Sequence, residues 1–485
     1  MTMSAMGRMW AAVALATAAC GRGDGPAASV AFEHVTLIDG TDRGAQANMT
    51  VALDGERIVA IGPTGKLKLG KVANRIDATG MYLIPGLWDL HVHLFGYKER
   101  ALPLFLANGV TTIRDVGGDL KETGYLRQEV RFGRMLGPDV LIAGPVLDAP
   151  VVANAIGAGR YATPTAEAGR AAVDSLARAG VDFLKIHSLT PPAAYFAILD
   201  QARQRGLPVV GHIPDAISAR TAIDSGLRTV EHDWGLAIAN SPRGPTIVAS
   251  LRAAIDRYVA TAGPKAKLGP LFQARISAND SGAAAYDSAT AAEFARYAAE
   301  RDVWFDPTLV VLHTQARSNE PEVRNPPELK FAPKEARYED GEPPKANPTP
   351  ADIAAGRARW EAAKHKFREL VRAKAKFLAG TDVPVMPLVP GFSLHRELEL
   401  LVELGLTPLE ALQAASRNPA QAMGKSDRGT IEVDRRADLV LLSADPLANI
   451  ANTRTVQVVV VRGRLLERAT LDRLLQDAEL YASQR

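Results

Sequence analysis

Eight short apolar runs, separated by longer amphipathic stretches, constrain this chain more than any other feature. They are Gly86 to His91, Thr111 to Arg114, Val140 to Ala143, Phe183 to Ile186, Pro208 to Gly211, Thr229 to Glu231, Val303 to Phe305 and Phe377 to Gly380. Strand patterns alternating with helical ones build parallel sheets, because parallel strands need a crossover between them. Eight is the number that a (β/α)8 TIM barrel requires, and such a barrel presents chemistry at the C-terminal ends of its strands. The pattern therefore predicts an α/β chain with a TIM barrel over residues 85–425.

The two ends of the chain read differently. Val30 to Ile38, Met49 to Leu53 and Ile58 to Ile61 are short apolar alternations, with the turn pair Asp54-Gly55 between two of them, and Ala437 to Leu442 and Val456 to Val461 repeat the pattern near the C-terminus. These are strand and hairpin cues. They predict a small β-sandwich formed from both ends, residues 29–84 and 426–470, followed by a C-terminal helix or tail over 471–485. Two stretches interrupt the barrel rhythm. Residues 236–300 read as helical after the sixth strand, and 319–350 are rich in Pro, Glu and Lys after the seventh. Both insertions would stand above the strand ends, as substrate walls or as surface loops without a role. Within the scaffold, Thr407-Pro408-Leu409-Glu410 matches a capping box with Pro at the first helical position.

Charge and cysteine content narrow the partners. Lys plus Arg number 57 against 54 Asp plus Glu, so the net charge is only +3 in 485 residues, and nucleic acid is excluded as a general partner. The single cysteine, Cys20, permits no internal disulfide. It follows Arg8, the apolar run Met9 to Ala16 and the small residues Thr17-Ala18-Ala19, which reads as a signal peptide over residues 1–20 with a lipobox-like end and a tether over 21–28. Thr17 departs from the bulky aliphatic residue commonest three places before a lipidated cysteine. The expectation is export, to the periplasm or as a membrane-anchored lipoprotein lipidated at Cys20.

Chemistry concentrates at the strand ends. In Pro85-Gly86-Leu87-Trp88-Asp89-Leu90-His91-Val92-His93 the two imidazoles stand two residues apart, so an extended segment turns both to one side, where they can reach one divalent ion. Taken alone, the pair reads as two exposed histidines on an ordinary strand. Further donors end later runs: Lys185, His212, His232 and Asp382. The steps of 27 and 20 residues from Lys185 to His212 to His232 suit successive βα units.

With these residues in place, the chain resembles the amidohydrolase superfamily of metal-dependent hydrolases, in the branch of imidazolonepropionase-like proteins and Xaa-Pro dipeptidases. The resemblance extends over nearly the whole chain after residue 28. It implies that His91, His93, His212, His232 and Asp382 are metal ligands, and that Lys185 captures carbon dioxide as a carbamate bridging two divalent ions, with zinc the first choice. One ion would take His91, His93, Lys185 and Asp382, the other Lys185, His212 and His232. Asp382 would act as general acid and base in cleaving a C–N bond of a small amide, such as a dipeptide or N-acyl amino acid. An ion pair is the other reading of Lys185.

His187, two residues after Lys185, and Arg114, at the end of the second run, are candidates for substrate binding. The Arg114 guanidinium suits a substrate carboxylate, although an ion pair with Asp115 or another neighbour competes. His34, His313, His365 and His395 are not expected to be ligands. No Gly-x-Ser-x-Gly elbow or phosphate-binding glycine pattern appears. Two other functions stay open: a mononuclear deaminase or cyclic-amide hydrolase, and a non-catalytic lipoprotein that binds metal or ligand. Oligomeric state is not legible.

Overall fold

The computed structural model describes residues 25–157, 159–262, 267–333, 347–385 and 387–484. The expected signal peptide, Cys20 and the first half of the tether lie outside the described residues, as does part of the second insertion.

Strands are numbered along the chain. The N-terminal set is β1 (Ala28–Ile38), β2 (Ala45–Asp54), β3 (Arg57–Pro63), β4 (Val72–Asp77) and β5 (Tyr82–Pro85). The central set is β6 (Leu87–Val92), β7 (Val110–Asp115), β8 (Asp139–Ile142), β9 (Val146–Asp148), β10 (Arg160–Ala162), β11 (Leu184–Ile186), β12 (Val209–Gly211), β13 (Thr229–Glu231), β14 (Trp304–Asp306) and β15 (Lys376–Phe377). The C-terminal set is β16 (Leu439–Leu442), β17 (Val456–Val461) and β18 (Arg464–Glu467).

The outer sets join in one hydrogen-bonded sheet, ordered β18-β17-β16-β5-β1-β2-β3, with β4 also paired to β1. The two ends of the chain meet at the antiparallel pairing of β5 with β16, where Leu83 faces Leu441 and Ile84 faces Val440. Phe32, Val35, Leu37, Val51, Leu53, Leu83, Leu439 and Val460 share the core of this region.

The central strands pair in parallel, as β6-β7-β8 and as β10-β9-β11-β12-β13-β14-β15. Backbone bonds tie the two sets together: Asp182 donates to the Ile142 carbonyl at 2.9 Å on one side, and Leu90 donates to the Ala379 carbonyl at 3.0 Å on the other. With helices returning between the strands, this is a TIM-barrel-like α/β fold.

Side-chain alternation sorts the central strands into an outward apolar face and a layered inner face. Outward residues such as Ile113, Leu184, Ile186, Val230 and Phe305 join the core beneath the helices. Trp88, Leu90, Leu141, Phe183, Val210, Trp304 and Leu378 form a separate apolar cluster with Met423. Two residues further along, Lys185 follows Phe183 and Asp306 follows Trp304, and Arg114 and Glu231 stand near the ends of β7 and β13; all four are buried. The change from apolar to charged along the strands is what places chemistry at their C-terminal ends.

Candidate metal centre

His91 and His93 are aimed by a local irregularity. The pairing of β6 with β7 shifts register between Asp89 and Val92, which interrupts the alternation that sends Trp88 and Leu90 into the apolar cluster. Asp382 is brought against them by the turn after the last strand. Its backbone N–H donates to the His91 carbonyl at 2.6 Å, and the turn is pinned to β6 by the buried Asp89 carboxylate, which accepts from the Thr381 N–H at 3.0 Å and hydroxyl at 2.7 Å. Asp382, His232 and Thr308 all adopt left-handed backbone, with φ of 58°, 60° and 44°. Non-glycine residues in that region, and a β-branched Thr above all, are held there by their surroundings.

Four imidazoles form an arc of neighbouring rings, three of which face Asp382. Ring centroids lie 5.7 Å apart for His91 and His93, 4.6 Å for His91 and His232, and 4.9 Å for His232 and His212. His91 Nε2 and His93 Nε2 each lie 3.4 Å from Asp382 Oδ1, and His232 Nε2 lies 3.9 Å from Asp382 Oδ2. The other ring nitrogen of each histidine has a separate neighbour. His93 Nδ1 donates to the Gly117 carbonyl at 2.9 Å, His212 Nδ1 meets Ser188 Oγ at 2.8 Å, His232 Nδ1 meets Thr308 Oγ1 at 2.7 Å, and His91 Nδ1 faces Glu231 Oε2 at 3.7 Å.

These residues fit a divalent ion. Ligand atoms of His91, His93 and Asp382 all lie within 4.8 Å of one another. The Gly117 carbonyl can only accept, so the proton of neutral His93 sits on Nδ1 and Nε2 keeps a lone pair toward the centre, the outer-partner arrangement that orients metal-binding imidazoles. A second grouping, His91, Glu231 and Asp306, is equally compact but already charge-balanced by Lys185 and Arg114.

Burial drives the electrostatics. It pushes the pKa of His91 and His212 well below the ordinary histidine value and lowers that of His232, keeping these rings neutral. For His93 burial opposes the charge, but the Asp382 carboxylate outweighs it and raises the pKa. Burial likewise opposes the Asp382 charge, while His93 and the nearby cations hold its pKa below the usual carboxylate range. The Lys185 amine is lowered by burial, against the pull of Glu231.

Lys185 sits among the expected ligands, and its amine is directly ion-paired with Glu231. His187 stands beside His212, ring centroids 4.2 Å apart, with Nδ1 3.1 Å from Asp148 Oδ2. Arg114 takes the ion-pair arrangement that competed with substrate binding. It is 0% exposed, and its donors go to Glu231 Oε1 at 2.8 Å, Asp306 Oδ2 at 3.2 Å and the Leu90 carbonyl at 2.5 Å, so these contacts serve the interior. Its ion-pair partners come from distant strands; Asp115 instead accepts the backbone N–H groups of Leu94 and Gly117. Glu231, Asp306, Ser188 and Thr308 were not singled out from sequence. The available signal for the first two was an acidic residue ending an otherwise apolar strand.

The amidohydrolase family profile matches residues 82–466, and the chain belongs to that family. A curated relative, the imidazolonepropionase of Deinococcus radiodurans, is 40% identical over 91 residues, 18% of this chain and 22% of that protein, so the chain spans about a fifth of that relative's length. Among solved structures, a bottromycin amidohydrolase superposes with a TM-score of 0.70 at 21% identity, covering 93% of this chain and 90% of the other. An Xaa-Pro dipeptidase with bound methionine in its active site gives a TM-score of 0.64 at 19% identity, covering 90% and 99%. At these identities the structural likeness speaks for the fold.

Proposed function

We propose that this chain is a metal-dependent hydrolase that cleaves the carbon–nitrogen bond of a small amide, a dipeptide or an N-acyl amino acid. The observation that carries the reading is the convergence of the Nε2 atoms of His91, His93 and His232 on the Asp382 carboxylate, each ring having a separate neighbour at Nδ1. His91, His93 and Asp382 would hold one divalent ion, and His212 and His232 a second, with Lys185 as a carbamate joining the two; zinc is the preferred metal. Such ions, when bound, lend Lewis acidity to a scissile carbonyl and acidity to water.

The chain's own residues supply the rest. Asp382, faced by His91, His93 and His232, accepts the proton of the attacking water and delivers it to the leaving nitrogen. The lowered pKa of Lys185 favours the neutral amine that carbon dioxide requires. His187, held by Asp148 at the side of His212, is the proposed substrate contact at the mouth.

A panel of dipeptides, N-acyl amino acids, lactams and lactones, assayed on metal-loaded wild type and Asp382→Asn, tests this. We expect turnover of an amide in the panel and a loss of about 10²–10⁴-fold in kcat for the variant. Wild-type inactivity across the panel would leave a ligand-binding protein as the better account.

The direct Lys185–Glu231 ion pair favours a second reading, a mononuclear deaminase or cyclic-amide hydrolase in which the lysine stays an ammonium. Metal analysis of protein purified with bicarbonate separates the two. Two ions per chain, falling in Lys185→Ala, support the first; one ion, unchanged in the variant, supports the second. The N-terminal segment supports export and lipidation at Cys20, and palmitate labelling that persists in Cys20→Ser would refute it.

A further inference from the structure

The Leu268–Ala284 helix belongs to the insertion after β13, and no step described above uses it. It nevertheless reaches both histidine loops. Arg275 Nη1 donates to Ser188 Oγ at 3.0 Å, and that same oxygen is the one 2.8 Å from His212 Nδ1. Arg275 Nε faces the Asp215 carboxylate, three residues after His212, at 3.4 Å. Its guanidinium carbon lies 4.8 Å from the ring centroid of Trp234, two residues after His232, and 5.0 Å from that of Phe272. One turn further along, Asn279 Oδ1 accepts the Gly235 N–H at 3.3 Å.

The helix is seated as well as tethered. Leu271 is buried with Val151, Val152 and Leu189. At Gly282 an added Cβ would stand 2.8 Å from the Ala237 backbone, so the helix comes as close as a glycine permits. Arg275 is 5% exposed and Ser188 1%, which removes both from competing water. A buried guanidinium without anionic and polar partners is costly, so its placement here over-determines the Ser188 oxygen it grips.

We propose that this helix is a strut of the metal centre, and that Arg275 is a positioning residue which, through Ser188, holds the His212 ring as a ligand to the second ion. The inference rests on the two-ion reading above. Arg275 fixes the oxygen, the oxygen accepts from Nδ1–H, and Nε2 keeps its lone pair for the ion. Outer partners of this kind contribute measurably to metal affinity.

The test is titration of the metal-free protein, prepared with bicarbonate, using Co²⁺ followed by its visible absorbance and Zn²⁺ against a chelator. In wild type two ions bind. Arg275→Met weakens one ion by about 10–100-fold and leaves the ion held by His91, His93 and Asp382 within about twofold. Ser188→Ala gives the same selective loss, and the double variant loses no more than either single one, since both act along one path. Arg275→Lys recovers part of the affinity. If Arg275→Met does not fold, Ser188→Ala with Arg275→Lys carries the test.

Two tight ions in Arg275→Met, or equal weakening of both, would overturn the inference while leaving the two-ion reading intact. A wild type that binds only one ion defeats that reading first, and this role with it.

Discussion

Gly380 shows how much of this site depends on single atoms. A Cβ added there would lie 2.5 Å from Asp306 Oδ1 and 2.6 Å from the His91 Cβ, contacts that no rotamer change relieves on the His91 side. Gly380→Ala is expected to cost about 1–3 kcal/mol of stability by overpacking and to weaken metal binding by displacing His91, both readable by denaturant titration and metal analysis of one preparation. Arg114 is the corresponding charged position. Arg114→Met leaves Glu231 and Asp306 buried with one fewer cation, and a loss of about 3–5 kcal/mol in denaturant unfolding is expected. At this scale the sequence was legible where spacing carried the information: two histidines at i and i+2, and single donors closing apolar runs. It was not legible for Arg114, Glu231 and Asp306, because an inward-facing charge on a strand is told from a mouth-facing one only by its depth in the barrel, which no local pattern records.

Secondary-structure elements act here as holders of turns. The Leu309–Ala316 helix begins at Thr308, whose hydroxyl meets His232, and its first N–H groups, those of Leu309 and Val310, donate to the buried Glu397 carboxylate at 3.0 and 2.7 Å. Replacing Glu397 with Ala would orphan two buried donors at the start of that helix. We expect Glu397→Ala to lose about 1–3 kcal/mol and Glu397→Gln to lose less, with thermal unfolding as the measure. The eight apolar runs all correspond to central strands, and the Thr407–Glu410 capping box forms with both of its reciprocal bonds. Periodicity and capping chemistry are local, so they survive in sequence. β9 and β10 are not legible in this way, because Val146-Leu147-Asp148 starts almost directly after the third run and Arg160-Tyr161-Ala162 is not an apolar run, and the last run forms a ladder only at Lys376–Phe377 because its continuation turns into the site. The helical reading of the first insertion stands, but the contacts of its Leu268–Ala284 helix arise between loops distant in sequence.

Across the whole molecule, acid is expected to loosen the seam between the central strands and the C-terminal segment as well as the metal centre. His395, on the Phe392–Leu404 helix, is fully buried, and its Nδ1 lies 2.9 Å from the Thr453 hydroxyl in the turn that leads into β17. Burial, with Arg454 nearby, pushes its pKa down to about 3. His313, buried beside Trp360 and facing Arg317 and Arg396, is pushed down to about 4, again chiefly by burial. Because both folded-state values lie below the unfolded value of about 6.5, the unfolded chain binds more protons over this range, and stability falls as the pH drops. The contribution is complete above about pH 6.5 and is lost progressively toward pH 3–4, at up to about 1.4 kcal/mol per pH unit for each group. The raised carboxyls work in the opposite sense: Asp89, at about 8, and Asp215 and Asp306, at about 7, favour folding at low pH, and that contribution is lost as the pH rises from about 4 through those values. Urea unfolding of metal-free protein at pH 7.0 and 5.0, in wild type and in His395→Phe, separates the two. Relative to wild type, the variant should gain about 1–2 kcal/mol on going from pH 7.0 to 5.0, because it has no ring to protonate when it unfolds. Equal slopes in the two proteins would mean that His395 does not set the acid limit of the seam.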